Sequence, residues 1–260
     1  MKPWLINTLV AVAGAVILII AGTYLASTGL QDSSNHFVGR PPPDLQASNI
    51  TFASGAGVLI HGWLVPGKPK QGVVLLLHSV RGDRRDMISR AEFLRKRGYA
   101  VLMIDFQSHG ENRDSRITYS DLESRDVTGA LQYLRHKLPG EKVAVIGVQM
   151  GADAFVLSEG RPPVAAVVLE QLYPTINRAI ASRVRSNIGP LAPLFSWLVM
   201  LETQSQHEIP ANRLSPQALA AQSLLPDIHH PAHNHRACDG GWPKKSISLH
   251  VFESHKDQTG

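Results

Sequence analysis

The chain has 260 residues, 43% of them hydrophobic and 18% charged, which excludes a disordered tail or a fibre and suffices for a full-sized core. Its net charge of +5 comes from scattered basic residues with no interleaved aromatics, so nucleic acid is not an expected partner. Cys238 is the sole cysteine, which excludes an intrachain disulfide.

In chain order, the first feature is Lys2 followed by an uncharged run from Trp4 to Ala26, long enough to span a bilayer. A cleavage site after Ala26 would put bulky Tyr24 where a small residue is required, so an uncleaved signal anchor is expected over residues 1–29. Lys2 and the amino terminus would then stay cytoplasmic, leaving the remainder on the outer side of an inner or plasma membrane in a single-pass arrangement. Residues 30–48 read as a polar spacer, with Asp32, Ser33, Ser34 and Asn35 ahead of an extended triple proline, Pro41 to Pro43.

Residues 49–222 alternate β-rich runs with helical patterns, which predicts an α/β domain: a mostly parallel sheet with helices on both faces. Strands are expected at Ile50 to Ala53, Val58 to Val65, Val73 to His78, Tyr99 to Asp105, Val143 to Ile146 and Val164 to Leu169. The first two should pair antiparallel across Gly55 to Gly57; the later four are continuous apolar runs, as buried parallel strands require. Helices fit at Arg85 to Arg97, whose arginines read as a solvated face, at Ser120 to Lys137 and from Met150 to about Leu157. Residues 176–212 are mostly helical in pattern, broken at Gly189, Pro190 and Pro193, which suits a cap over the sheet.

The chemistry concentrates at Gly147-Val148-Gln149-Met150-Gly151, between the fifth expected strand and a helix. Glycines at both ends allow the sharp, strained turn that lifts a central side chain above a sheet. Two further segments stand after the third and fourth strands: His78-Ser79-Val80-Arg81-Gly82 and Asp105-Phe106-Gln107-Ser108-His109-Gly110-Glu111.

With these three segments in order, the chain resembles the α/β-hydrolase superfamily, in particular a bacterial branch of serine-aminopeptidase-like and dienelactone-hydrolase-like proteins. The resemblance spans about Ile50 to Ala220 and includes Leu172-Tyr173-Pro174-Thr175 and Leu214-Ser215-Pro216. It implies serine-dependent cleavage of esters or peptides without a cofactor, with Gln149 at the nucleophile's position. It also implies an oxyanion hole made by the backbone amides of Ser79 and Met150, which do not depend on side-chain identity. His78 and His109 are expected to shape their loops, Asp105 to orient the turn after its strand, and Glu170 to face the cleft. An amide is a very poor nucleophile near neutral pH, so Gln149 predicts an inactive hydrolase. The alternatives are a binding or scaffolding module for an acyl or peptide ligand, and a residual esterase using another group, with Ser108 a candidate hydroxyl.

Relatives continue after Ser215-Pro216 with a strand, an acid, an eighth strand and the catalytic histidine, and residues 223–260 offer no obvious counterpart, so the triad's acid and histidine are not identifiable. Half of the chain's 12 histidines fall there. His229, His230, His233, His235 and Cys238 are potential metal ligands, but their spacings match no template. Asp227 or Asp239 with His250 or His255 would keep the family's order of acid and base, and Ser246 to Phe252 alternates like a strand. The abrupt change in composition favours a third reading, translation out of frame. The sheet is then expected to be incomplete at its C-terminal side, leaving Val164 to Leu169 as an uncovered edge.

Overall fold

In the computed structural model, residues 2–113, 116–118, 120–171, 185 and 249–252 are described. The chain divides into two units, residues 1–32 with 176–214 and residues 33–175 with 215–260. The cap expected over 176–212 and most of the histidine-rich tail lie outside the described residues.

In the first unit, helix α1 runs from Pro3 to Gln31, with the prolyl ring at the start of the helix, where no intrahelical N–H is needed. At 29 residues it extends roughly 43 Å. Trp4, Leu9, Val10, Ile17, Leu18 and Leu25 are all exposed on it. Among the described residues no helix is long and apolar enough to cross a membrane; the side chains of Ala15, Val16, Ile19, Ile20, Thr23 and residues 26–31 are outside that description.

The second unit is built on a seven-stranded sheet. Its strands are β2 (Ser48–Ala53), β3 (Leu59–Val65), β4 (Val73–Leu77), β5 (Ala100–Ile104), β7 (Val143–Val148), β8 (Ala166–Glu170) and β9 (Leu249–Phe252), in the order β2-β3-β5-β4-β7-β8-β9. β2, β3 and β5 pair antiparallel, and every pair from β5 onward is parallel. Side-chain alternation splits the core between two faces. Val73, Leu75 and Leu77 pack with Val145, Val167 and Leu169 beneath helices α3 (Glu123–Lys137) and α4 (Met150–Leu157). Val74 and Leu76 point the other way, towards Trp63, Met103 and helix α2 (Ile88–Lys96). β4 is buried along its whole length, which its unbroken Val-Val-Leu-Leu-Leu run requires.

Two expectations fail here. The sheet does not stop at β8: β9 pairs parallel with it, Val167 opposite Leu249 and Glu170 opposite Phe252. The uncovered edge is therefore corrected; the alternation of Ser246 to Phe252 marks the strand that pairs with β8. Nor are the residues after α1 a free spacer. β1 (Ser34–Asn35) pairs parallel with β6 (His109–Gly110), and Val38 and Leu45 are buried in the core on the α2 side. Isolated apolar residues in a polar, proline-rich stretch carry no periodicity, so this packing has no pattern to announce it.

Candidate active site

The parallel strands deliver their loops to one end of the sheet, and there the chain turns from β7 into α4 through Gln149. Its backbone stands at φ 48° and ψ −114°, a conformation that non-glycine residues hold only under strain. The turn is enforced from both sides. A Cβ on Gly147 would come within 2.8 Å of the Ala152 backbone, and one on Gly151 within 2.6 Å of the Leu77 carbonyl and 2.7 Å of the His78 carbonyl. Only glycines permit α4 to start this close to the end of β4. The Gln149 N–H donates to the Glu170 carbonyl at 2.8 Å, and its carbonyl accepts from Asp153 N–H at 3.0 Å, which ties the apex to β8 and to α4.

The Gln149 side chain is half-buried, and its Nε2 donates to Gln171 Oε1 at 2.8 Å. Glu170 does not present a free carboxylate: Arg90 of α2 donates to its Oε2 at 2.5 Å. Met150 is buried, and among the described residues neither its amide nor that of Ser79 donates to a backbone carbonyl. The approach of Gly151 to the Leu77 and His78 carbonyls sets the loops carrying these two amides side by side.

Around this apex the polar residues are locked into structure. His78 is fully buried; its Nε2 accepts from the Phe106 N–H at 3.1 Å, which leaves Nδ1–H to donate to the Ser79 carbonyl at 2.7 Å. Burial lowers its pKa to about 4, so the ring is neutral. His109 is likewise buried, 5.2 Å from the His78 ring, with Nδ1 bonded to the Gln107 carbonyl and a pKa lowered by burial to about 3. Both act in loop structure, as the sequence indicates. Ser108 is buried, holds a left-handed φ of 60° and donates to the Arg116 carbonyl, which removes it as a nucleophile. Asp105 accepts from the amides of Arg84 and Glu111 and pairs with Arg84 Nη1 at 3.2 Å; burial raises its pKa against the pull of that guanidinium. A Cβ on Gly110 would lie 2.2 Å from Asp105 Oδ2, so this turn too requires its glycine.

Of the C-terminal candidates, His250 lies within β9, in register with Val168, and not in a loop beyond a strand end. Asp227, Asp239, His255, the tail histidines and Cys238 lie outside the described residues. Among the described residues no group of side chains is arranged to hold a metal. A pocket of about 450 Å³ opens between Pro66, Lys68, Ala100, Lys137, Leu138 and Glu141. It sits at the amino ends of β4 and β5, the far end of the sheet from Gln149, and has no part in this geometry.

A model of the alpha/beta hydrolase family matches residues 58–257, well over half of the chain and including β9. The chain belongs to this family. No curated protein sequence matches it. Among solved structures, an esterase from Pyrococcus furiosus superposes with a TM-score of 0.54 at 22% identity, covering 65% of this chain and 67% of that one. A second crystal form of that esterase gives a TM-score of 0.53 at 24% identity, covering 65% and 69%. These likenesses concern the α/β-hydrolase fold. Within that fold Gln149 stands at the strained turn between β7 and α4.

Proposed function

We propose that this chain is a membrane-anchored member of the α/β-hydrolase family, from an ester- or peptide-cleaving lineage, that does not perform hydrolysis itself. One observation carries the reading: the elbow keeps its strained backbone at Gln149, with φ 48° and ψ −114°, while the side chain it presents is a carboxamide. A carboxamide cannot form the acyl-enzyme by which this lineage divides hydrolysis into two steps. His78 and His109, both neutral and internally bonded, offer no substitute base beside it.

The amides of Ser79 and Met150 favour a second role, as a binding module. They form a cradle for the carbonyl oxygen of an acyl or peptide ligand, and two aimed amides hold such an oxygen whether or not a nucleophile follows. The Gln149 amide stands ready as a third donor once it leaves Gln171. An activity-based fluorophosphonate and a thermal shift test the two statements together. The expected result is no labelling above a heat-denatured control, with Tm rising on addition of short acyl amides, because a ligand that binds only the folded state stabilises it. Labelling of the wild-type chain overturns the inactive reading; unchanged Tm across acyl esters, amides and peptides overturns the binding one.

The uncharged run Trp4 to Ala26 and the exposed apolar side chains of α1 support the anchor. Wild-type protein should stay with membranes after alkaline carbonate washing. Val12→Arg combined with Ile17→Arg should release it, since each central arginine opposes insertion by about 3 kcal/mol.

A further inference from the structure

The amino ends of β4 and β5 carry a second concavity, the pocket of about 450 Å³, which falls in the size range of small-molecule sites, roughly 300–1,000 Å³. Two short loops make its walls: residues 66–72, between β3 and β4, and residues 137–142, from the last residue of α3 to β7. Hydrogen bonds fasten these walls to each other and to the sheet. The Glu141 carboxylate accepts from Lys70 N–H at 2.6 Å and from Gly72 N–H at 2.8 Å. Lys68 N–H donates to the Gly98 carbonyl at 2.7 Å, and Ala100 N–H to the Gly72 carbonyl at 3.1 Å. Gly67 lies so near the start of β5 that a Cβ on it would come within 2.1 Å of the Ala100 nitrogen. Pro66, Pro69 and Pro139 fix φ in both loops, so the cavity is formed before a ligand arrives.

The lining divides into an apolar body and a basic rim. Leu64, Val65, Ala100 and Leu138, with Pro66 and Pro139, supply the body. The two wall loops contain four lysines, Lys68, Lys70, Lys137 and Lys142, against one acid, Glu141. That acid is spent on the two amides, both of its oxygens being engaged. Lys68 and Lys137 line the pocket and are exposed, and among the described residues neither ammonium group is in a hydrogen bond or an ion pair. Lys68 lays its methylene stem along Gly98, where a Cβ would lie 3.0 Å from Lys68 Cδ, and so keeps its charged head at the surface. Gln46, also in the lining, has its Oε1 occupied by Arg95 Nη2 at 2.8 Å, which adds a further cation at this end of the sheet. An apolar chamber with cations at its mouth and its acid already engaged is complementary to a molecule with an apolar chain and an anionic head. The volume suits one short chain and not a two-chain lipid.

We propose that this pocket is a binding site for a free medium-chain carboxylate, its alkyl chain among Leu64, Val65 and Leu138 and its head met by Lys68 and Lys137. The site stands at the opposite end of the sheet from Gln149 and does not rest on how that residue is read.

The test uses the full-length protein in lipid nanodiscs and a decanoate carrying a diazirine in its chain, cross-linked by light and mapped by mass spectrometry. Label should fall within residues 64–69 and 137–141. Excess octanoate should remove it, and 1-octanol at the same concentration should not. Lys68→Glu combined with Lys137→Glu should lower labelling of these segments about tenfold at sub-saturating reagent, as expected for losing two exposed ion pairs. Both side chains are exposed, so the variant should keep the wild-type Tm, and the corresponding pair of Lys→Arg changes should keep the label. Label that octanoate does not displace, that 1-octanol displaces equally, or that survives the charge reversal overturns the proposal. So does label confined to the segments around Gln149, which would instead place the acyl chain at the other end of the sheet.

Discussion

Gln149 and Gln171 meet side chain to side chain, the amide of the first donating to the carbonyl of the second at 2.8 Å. The apex of the turn between β7 and α4 is thereby engaged with the residue that follows β8. The contact is exposed and its contribution small, whereas the backbone beneath it is strained.

Replacing Gln149 by glycine should therefore stabilise the protein. A non-glycine residue at φ 48° costs roughly 1–3 kcal/mol, more than the lost exposed hydrogen bond and the added freedom of the unfolded chain together. Urea unfolding should show a gain of about 1 kcal/mol. A loss would mean that the side chain, and not the turn, is what the fold needs here.

Gly151→Ala should act in the opposite sense. Its Cβ would meet two backbone carbonyls, of Leu77 and His78, neither of which can move without shifting β4. A destabilisation of about 3 kcal/mol is expected from such an overpacked site, accompanied by loss of any acyl-amide binding, because the Ser79 loop follows His78 directly. Retained binding at lowered stability would separate the cradle from the β4 loop.

Acidification should weaken the fold through His78 and His109. Both have folded pKa values lowered by burial, to about 4 and about 3, so between those values and an unfolded value near 6.5 the unfolded chain binds more protons. Their contribution is complete above pH 6.5 and is lost as the pH falls towards 4. Denaturation midpoints should drop across that window with a linkage of up to two protons, and His78→Gln should reduce the linkage by about one.

Arg84 is nearly inaccessible, packed over the Trp63 ring at 4.8 Å and set between Asp105 and Glu111. Arg84→Met preserves much of the volume and strands the buried Asp105 charge, so a loss of about 3–5 kcal/mol relative to wild type is expected at pH 8. The Asp105 pKa, already raised by burial, then climbs further; a carboxyl whose folded pKa is raised opposes folding above its unfolded pKa and ceases to do so once protonated. The deficit should shrink at pH 5. An equal deficit at both pH values would assign the role of Arg84 to packing on Trp63.

Strands and helices with dense local patterns were legible in the sequence. β4, β5, β7 and α4 lie within a residue or two of where their apolar runs place them, and the elbow glycines mark the turn correctly. α3 begins at Glu123 and not at Ser120, because Ser120 takes a φ of 83° and gives its N–H to the Glu123 carboxylate, a choice made by one buried acid and invisible to periodicity. The His36–Asp83 contact and β9 were harder for a different reason. His36 meets Asp83 across 47 positions, and β9 finds β8 across some 80 residues, so neither pairing leaves a trace in the residues next to it. The Gln171 and Arg90 partners of Gln149 and Glu170 are likewise products of tertiary geometry.

The clash distances at Gly147 and Gly151 also bear on how such a protein changes over time. What shapes the elbow is written in hydrogen atoms where other residues carry carbon, and in main-chain donors common to every amino acid except proline. Substitution at the apex can change a reaction in one step while the surrounding mould persists, because none of its walls is made from the apex side chain. A lineage that loses its chemistry in this way retains a ready-made socket, open to selection for whatever settles in it.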